Sequence, residues 1–233
     1  MEITPIASGS TGNAYRVSDG ESALLLDAGI PIRAIQVALN FRLRALEGCF
    51  ITHCHGDHSK AARDLMRLGV DVYTGRGTIE ALGLRGHRLH ATTPMQQIQV
   101  GSWDVLPFDV QHDAPDSQGF LFTSRATGEK LLYFTDTYFI KYRFTGLTHI
   151  MAECNFSKEA LQRSVAAGYI SVDMVPRLMR SHMSLDHLKD MLSANDLTRL
   201  RQIYLLHLSA NNSDAEQMKT EIERLTGVEV YVC

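Results

Sequence analysis

Hydrophobic and polar residues alternate along residues 1–30 in the way that β-strands require. Three runs are strand-like, at Ile3 to Ala7, Ala14 to Val17 and Ser22 to Asp27. The polar stretch Ser8 to Asn13 separates the first two runs, and its glycines permit tight turns and positive φ. The pattern predicts strands joined as β-hairpins, with a glycine-rich loop between the first two.

Residues 31–90 predict alternating helices and strands. We expect a helix over Pro31 to Leu39, a buried strand over Leu46 to Thr52, an amphipathic helix over His58 to Leu68, a strand over Val70 to Thr74 and a short helix over Thr78 to Leu82. Proline is tolerated in the first helical turn, and Gly69 follows the amphipathic run, where glycine commonly ends a helix.

Strand-like alternation dominates the middle of the chain. It covers four runs, at Gln97 to Val100, Trp103 to Val110, Gly119 to Phe122 and Lys130 to Phe134. His112 follows the second run and Asp136 follows the fourth. Functional side chains are commonly placed in loops at strand ends, so both residues are candidates for a site.

From residue 147 onward the chain returns to alternating strands and helices. Strands are predicted at Thr148 to Glu153, Arg201 to His207 and Val228 to Val232, and helices at Ser157 to Ala167, Val172 to Met179, Ser184 to Leu192 and Ser213 to Leu225. Ser184 suits the N-cap of its helix. No linker, repeat or low-complexity tract interrupts the chain, so we predict a single α/β domain over residues 1–233.

Composition permits a full hydrophobic core and argues against a strongly basic, an exported or a membrane-spanning protein. The 233 residues are 45% hydrophobic and carry a net charge of −3 at pH 7, so the chain as a whole does not attract nucleic acid electrostatically. The four cysteines form no Cys-x-x-Cys pair, which favours a reducing cytoplasm. The N-terminus lacks a signal-peptide pattern, and no apolar run approaches the roughly eighteen residues of a membrane span. We expect a cytoplasmic protein that does not associate with membranes.

The highest density of candidate metal ligands lies in residues 52–58, at the end of the predicted buried strand. Three imidazoles and a carboxylate occur there: His53, His55, Asp57 and His58. Mixed nitrogen and oxygen ligands suit zinc, manganese or iron better than magnesium or calcium. His53 and His55 can point to one side of an extended backbone, whereas Gly56 can turn the chain so that Asp57 and His58 face a second ion. The competing interpretation is a chance cluster without a metal.

The order of these residues after a buried strand resembles the signature of the metallo-β-lactamase fold superfamily. The resemblance implies an α/β fold arranged as an αββα four-layer sandwich. The loop Ser8 to Asn13, followed by an apolar strand that ends at Asp27, is similar to the YycJ/WalJ group of phosphodiesterases and nucleases. In that group the loop lies beside the metal centre, which implies that Asn13 contacts substrate or water and that Asp27 orients a ligand.

The same resemblance implies ligands for two divalent metal ions, zinc or manganese. His53, His55 and His112 would hold one ion, Asp57, His58 and His207 would hold the second, and Asp136 would bridge them. Seven ligands are too many for one tetrahedral ion, which takes four. Asp57 and Asp136 would serve catalysis by holding ions that activate a water molecule.

Residues late in the chain are candidates for contacts with the substrate. His182 resembles the histidine of a His-x-Ser element in phosphodiesterase members, which implies that it binds the scissile phosphate or protonates the leaving group. The other interpretation is that His182 merely precedes the N-cap Ser184. The run from His207 to Asn212 is similar to the ending of the YycJ/WalJ group, which implies that Asn211 or Asn212 lies near the site.

These resemblances lead to three functional hypotheses. The first is a phosphodiester hydrolase, a DNA exonuclease that acts on single-stranded or nicked ends by metal-activated hydroxide attack. The runner-up is a phosphodiesterase for a small substrate such as a cyclic nucleotide, which the slightly acidic composition favours. The third is a non-catalytic metal-binding regulatory protein, although every expected ligand position is filled. The expected partner is therefore DNA, another nucleic acid or a nucleotide, and the oligomeric state stays open, with a homodimer among the alternatives.

Overall fold

The computed structural model describes residues 1–233, which divide into two compact units. The first unit comprises Met1–Asp109 and Ala114–Glu129, and the second comprises Val110–Asp113 and Lys130–Cys233. The prediction of a single domain over residues 1–233 stays a prediction. No helix of the chain combines the length and the apolar character needed to cross a membrane.

A six-stranded sheet organises the first unit. Its strands are β1 (Glu2–Ala7), β2 (Ala14–Ser18), β3 (Ala23–Leu26), β4 (Leu46–Phe50), β5 (Val72–Gly75) and β6 (Leu89–Thr92), and they lie side by side in chain order. β1, β2 and β3 pair antiparallel, as the hairpin pattern predicts. β3 to β6 pair parallel, so the residues that follow β3 and β4 emerge at the same edge of the sheet.

Helices pack against one face of this sheet. They are α1 (Ile32–Ala38), α2 (Gly56–Ser59), α3 (Ala62–Arg67) and α4 (Arg76–Leu82), with a 3-10 turn at Leu43–Ala45. Ile35 of α1 and Leu65 of α3 join Leu25, Cys49 and Val72 of the sheet in one buried apolar cluster. Burial of this cluster is what holds the short helices, since isolated helices of this length are unstable in water.

An antiparallel ladder completes the first unit. It consists of β7 (Ile98–Val100), β8 (Trp103–Asp109) and β9 (Gln118–Ser124). Phe50 of β4 meets Phe120 and Phe122 of β9 edge to face, with ring centroids 5.3 and 5.2 Å apart. The six-stranded sheet thus has apolar helices on one face and an aromatic layer on the other.

Four parallel strands form the centre of the second unit. They are β10 (Lys130–Phe134), β11 (His149–Glu153), β12 (Gln202–Leu206) and β13 (Glu229–Val232), each paired with the next. The carboxyl ends of parallel strands meet at one edge, which is where open α/β sheets bind ligands. Asp136, Glu153 and His207 lie at the ends of β10, β11 and β12.

The helices of the second unit begin largely where the sequence predicts. They are α5 (Lys158–Ala166), α6 (Val175–Ser181), α7 (Leu185–Ser193) and α8 (Ala215–Thr226), with a 3-10 turn at Val172–Met174 before α6. Ser157, Ser184 and Asp214 each accept a hydrogen bond from the third helical N–H of their helix. The predicted N-cap at Ser184 is therefore confirmed.

Two elements of the first unit differ from the sequence prediction. The helix expected over residues 58–68 is split into α2 and α3, because the Ala61 N–H donates to the Ala28 carbonyl at 2.8 Å and leaves the helical path. α2 begins at Gly56, so Asp57 and His58 lie in a helical turn. β6 escaped prediction because only one of its four residues, Thr92, is buried and the hydrophobic pattern is weak.

Candidate metal centre

His53 and His55 follow β4, and their imidazole rings meet edge to face, with centroids 4.8 Å apart. The Nε2 atom of His53 lies 3.1 Å from the Nδ1 atom of His55. Two nitrogen lone pairs at this separation repel, so the pair needs a shared proton or a cation close to both atoms. This geometry suits two ligands of one metal ion, as the sequence predicts.

Asp57 and His58 form a second pair of candidate ligands on α2. The Nε2 atom of His58 lies 3.4 Å from an Asp57 carboxylate oxygen. The other ring nitrogen, Nδ1, lies 2.7 Å from Oδ2 of Asp27, and both side chains are fully buried. When Nδ1 carries the proton that this contact requires, Nε2 bears the lone pair, which is the form of imidazole that binds a metal; in the structure this nitrogen lies 3.1 Å from the Asn13 side-chain amide.

Asp27 contacts the motif of residues 52–58, for which the resemblance implies that it orients a ligand. Its backbone has φ of 54°, a left-handed conformation that aspartate tolerates better than most residues. Its Oδ1 accepts hydrogen bonds from the backbone N–H of Thr52 at 2.8 Å and from the Thr52 hydroxyl at 3.0 Å. The same hydroxyl lies 3.0 Å from Nδ1 of His53, so Thr52 connects Asp27 to a ligand of the other pair. The sequence alone gave no reason to select Thr52.

Asn13 is buried against the motif and does not lie on an open face. Its side-chain amide donates to the Gly9 carbonyl at 3.0 Å and lies 3.1 Å from Nε2 of His58, while its oxygen accepts a hydrogen bond from the Tyr15 hydroxyl at 2.9 Å. These contacts use the side chain to hold the glycine-rich loop beside His58. Contact of Asn13 with substrate or water stays a prediction.

The backbones of three segments interlock around the motif. The Asn13 N–H donates to the Asp57 carbonyl, the Gly29 N–H to the Asn13 carbonyl and the Ala28 N–H to the His58 carbonyl, each at 2.8 Å. A Cβ atom on Gly29 would lie 1.6 Å from the Asp57 carbonyl oxygen. Only glycine at position 29 therefore allows the two backbones to come this close.

A second cluster of candidate metal ligands lies at the carboxyl ends of the parallel strands of the second unit. Asp136, Glu153, His182 and His207 each offer one ligand atom, and these atoms lie within 4.8 Å of one another. The shortest contacts join Nδ1 of His207 to Oδ1 of Asp136 at 2.7 Å and Nδ1 of His182 to Oε1 of Glu153 at 2.6 Å. Asp136 and His207 both have left-handed backbones, with φ of 48° and 53°. Such strained conformations are concentrated at functional sites.

Glu153 is a buried carboxylate that the sequence analysis did not select. It ends β11 with no exposed surface, and its Oε2 accepts hydrogen bonds from the N–H groups of Thr137 and Met183 at 3.0 and 3.1 Å. Burial would raise the pKa of Glu153, but the charge and hydrogen bond of His182, together with the hydrogen bond of His207, lower it. A charged residue at the end of an otherwise apolar strand is the signal that could have revealed it.

His182 lies directly after α6, with its ring partly open to solvent. The side chain is 24% exposed, whereas the Glu153 side chain behind it is fully buried. Burial opposes the charged form of His182, yet the neighbouring Glu153 carboxylate outweighs it and raises the pKa of His182. The pairing engages Nδ1 of the ring, so His182 has a specific partner in addition to its place before the N-cap Ser184.

His112 is held by the same part of the second unit. Its Nδ1 lies 3.1 Å from the carbonyl of Ser181, and its Nε2 lies 3.7 Å from Oδ2 of Asp136. Burial lowers the pKa of His112, although Asp136 and Asp113 act in the opposite direction. A neutral imidazole is the form that binds a metal, so this environment suits a ligand.

Asn211 lies on an exposed turn after β12, and Asn212 beside it is buried. The Asn211 carbonyl accepts a hydrogen bond from the Ser164 hydroxyl, and the Asn212 amide donates to the Ser209 hydroxyl at 2.9 Å. The exposed side chain of Asn211 leaves its predicted contact with substrate open to test.

The donor sets of both units fit divalent metal ions. The facing nitrogens of His53 and His55 supply borderline ligands without a charge of their own, and Asp57 and Asp136 supply carboxylates. Imidazole with carboxylate is a combination typical of zinc and manganese sites. The metal binding expected from the sequence therefore has suitable side chains in each unit.

Comparison with known proteins adds to this geometry. A family model described as a beta-lactamase superfamily domain matches residues 23–208. The chain is 27% identical over 226 residues to the exodeoxyribonuclease WalJ of Streptococcus pneumoniae serotype 2 (strain D39 / NCTC 7466), a match that covers 91% of this chain and 82% of WalJ. It is 25% identical over 244 residues to the exodeoxyribonuclease YycJ of Bacillus anthracis, covering 97% of this chain and 89% of YycJ.

A solved structure resembles the fold over nearly its whole length. The metallo-β-lactamase fold protein YhfI of Bacillus subtilis matches with a TM-score of 0.75 at 16% identity, covering 99% of this chain and 95% of YhfI. The expected α/β fold class of metallo-β-lactamase type, with sheets flanked by helices, is confirmed.

Proposed function

This chain belongs to the family of beta-lactamase superfamily domains. On that basis, we propose that it is a two-metal DNA exonuclease that acts on single-stranded or nicked ends. The prediction of an enzyme, a metal-dependent hydrolase of phosphodiester bonds, is confirmed by the family match and the two exodeoxyribonuclease relatives. The substrate, the number and identity of the metal ions and the residue roles belong to the proposal.

The proposed ligand set follows the family pattern. In this proposal His53, His55 and His112 would hold one ion, Asp57, His58 and His207 would hold the other, and Asp136 would be shared between them. The convergence of His53 with His55, of Asp57 with His58 and of Asp136 with His207 inside each unit supports this set. Two zinc or manganese ions bound there would acidify a water molecule and neutralise phosphoryl oxygens.

The observation that carries the phosphodiester assignment is the His182–Glu153 pair. A departing alkoxide needs a proton, and His182 can supply it from Nε2 while Glu153 holds Nδ1 and stabilises the charged ring. The raised pKa of His182 keeps it protonated closer to neutral pH, which suits a general acid. No serine or cysteine is required as a nucleophile.

The proposed location is the cytoplasm. None of the four cysteines forms a disulfide bond, which fits a reducing compartment. The relatives are exodeoxyribonucleases, and DNA is accordingly the proposed partner of this chain.

A substrate panel tests the proposal. Protein loaded with zinc or manganese is incubated with 5′-labelled single-stranded DNA, nicked duplex DNA, RNA, cyclic mononucleotides and bis(p-nitrophenyl) phosphate. We expect the single-stranded and nicked DNA to be digested from the ends, seen as release of the labelled 5′ nucleotide or as a ladder of shortened labelled strands. Cleavage restricted to cyclic mononucleotides and the small ester would overturn the nuclease assignment in favour of a small-substrate phosphodiesterase.

A further inference from the structure

The segment directly after Asp136 combines aromatic and basic residues. Residues 137–146, which we name the aromatic–basic loop, carry aromatic side chains at Tyr138, Phe139, Tyr142 and Phe144 and basic side chains at Lys141 and Arg143. The loop has no helix or strand. Neither the metal ligands nor the His182–Glu153 pair requires such a composition.

Both ends of the loop are fixed to the second unit. The Thr137 N–H donates to Oε2 of Glu153 at 3.0 Å, and the Phe144 N–H donates to Oδ1 of Asn195 at 2.6 Å. Ile140 and Phe144 are buried. The loop therefore follows a defined course from the metal-ligand cluster to the end of α7.

Exposure alternates along the loop. Phe139 is 52% exposed, Lys141 and Arg143 are exposed, and Ile140 between them is buried. In an extended backbone, every second side chain lies on the same face, at intervals of about 6.5 Å. The alternating exposure matches this pattern, and we name the exposed residues Phe139, Lys141 and Arg143 the outward-facing row, which presents a large apolar ring followed by two cations.

A cavity lies along this row. Its volume is about 450 Å³, and the loop and α7 line it, with Phe139, Lys141 and Arg143 against a single carboxylate, that of Asp190. His187 of α7 also lines this cavity. The volume is in the range of small-ligand sites and the charge balance favours an anion.

One residue of the loop also lines a cavity that contains His112, a proposed metal ligand. Tyr138, the residue before Phe139, lines a second cavity of about 520 Å³ together with His112, Arg177 and Arg180. Consecutive residues of the loop therefore line the cavity at His112 and the cavity at Phe139. A linear substrate that enters one can continue into the other.

We propose that the aromatic–basic loop binds single-stranded nucleic acid beside the scissile phosphate, with a base stacked on Phe139 and phosphates bound by Lys141 and Arg143. Single-strand sites combine aromatic platforms for bases with cations for the backbone. A duplex keeps its bases stacked inside and offers Phe139 no free base. This inference rests on the proposed phosphodiester hydrolase function and narrows its substrate to an unpaired strand.

A tryptophan reporter tests the stacking directly. Trp103 is the only tryptophan and is fully buried, so in a Phe139→Trp variant the exposed indole reports on position 139. The metal-loaded variant is titrated with a phosphorothioate oligothymidylate, which resists cleavage, and with a blunt duplex. We expect quenching of tryptophan emission by the single strand and little by the duplex. Binding of the single strand, seen by anisotropy, without any change in emission would overturn the proposal.

Kinetic variants provide an independent readout. Phe139→Ala should lower kcat/KM on single-stranded oligonucleotides about 5- to 100-fold, the range of one stacking contact. Turnover of bis(p-nitrophenyl) phosphate, which is too short to lie along the loop, should fall less than oligonucleotide cleavage. Arg143→Ala should reduce the slope of log Kd against log salt by about 0.7, the value for one phosphate on a single strand.

Matched controls are available in the second unit. Tyr169 is 72% exposed and Arg163 is exposed on α5, and neither belongs to the loop or lines its cavities. Tyr169→Ala and Arg163→Ala should leave oligonucleotide cleavage and the salt slope unchanged. Equal effects of control and loop variants would show general electrostatic attraction and overturn the loop assignment. The two proposals fail separately, because a wild-type protein that cleaves cyclic nucleotides alone contradicts the nuclease assignment, whereas equal oligonucleotide cleavage by Phe139→Ala contradicts the loop.

Discussion

Each unit places a buried carboxylate behind a histidine, but the two pairs differ in what the histidine can reach. In the first unit, Asp27 lies 2.7 Å from Nδ1 of His58, and both side chains are fully buried. In the second, Glu153 lies 2.6 Å from Nδ1 of His182, whose side chain is 24% exposed. A carboxylate contacts Nδ1 of a histidine in both places, but the candidate ligand His58 is enclosed by protein, whereas the ring of His182 is partly exposed to solvent.

The interactions that hold the two histidines in place differ as well. His58 belongs to a short motif whose backbone is locked by Asn13, Ala28 and Gly29. His182 lies between two helices and is positioned mainly by Glu153. Changes in the first unit should therefore affect folding and metal binding, whereas changes in the second pair should affect turnover.

The largest effect is expected for Gly29→Ala, which tests the backbone lock of the first unit. The added Cβ would overlap the Asp57 carbonyl at 1.6 Å, so the segment that contains Asp57 and the segment after Asp27 must separate. We expect a loss of more than about 4 kcal/mol in the free energy of unfolding, measured by urea denaturation. Gly56→Ala is the control, because a Cβ there meets nothing within 4 Å. Similar destabilisation by both substitutions would show that the lock is not the cause.

His182→Ala should remove turnover without removing metal. Loss of a general acid typically costs about 10²- to 10⁴-fold in rate. We expect that decrease in cleavage of 5′-labelled DNA, with metal content per chain unchanged by elemental analysis. A variant that loses metal would instead identify His182 as a ligand.

Asp27→Asn should give the opposite pattern. Partners that orient a metal-bound histidine typically contribute about 10- to 100-fold in metal affinity, and asparagine cannot hold the His58 ring with a full negative charge. We expect weaker metal binding in competition with a chelator, and activity that returns when excess metal is added. Unchanged affinity would separate Asp27 from the metal centre.

Glu153→Gln should have the smallest effect, on rate and pH dependence. Glu153 raises the pKa of His182, so its replacement lowers that pKa and the protonated ring is lost at lower pH. We expect the alkaline limb of the pH–rate profile to move to lower pH, with turnover reduced about tenfold at neutral pH. A profile that keeps its position while the rate falls would mean a purely structural role for Glu153.

The sequence reveals the first cluster better than the second. His53, His55, Asp57 and His58 are consecutive or nearly so, so their chemistry is visible as a motif. Asp136 and His207 were found only because each follows an apolar strand and the family pattern assigns it a role. Glu153 was missed because one charged residue at the end of a strand becomes meaningful only when β11 is placed beside β10 and β12.

The supports of the motif were also only partly predictable. Asp27 was expected to orient a ligand, and the structure places it against His58. Thr52 and the contact at Gly29 depend on how closely two backbones approach, which no local pattern encodes. Asn13 was expected near the metal centre, but its burial and its side-chain hydrogen bonds emerge only from the folded loop.

The most direct test is to measure metal content and DNA cleavage on one sample of the wild-type protein. The protein is reconstituted with zinc or manganese, freed of excess metal and divided between elemental analysis and digestion of 5′-labelled single-stranded DNA. The account predicts two ions per chain, as in other two-metal hydrolases, and shortening of the DNA. Full cleavage with one ion or none, or two bound ions without any cleavage of DNA, would contradict it.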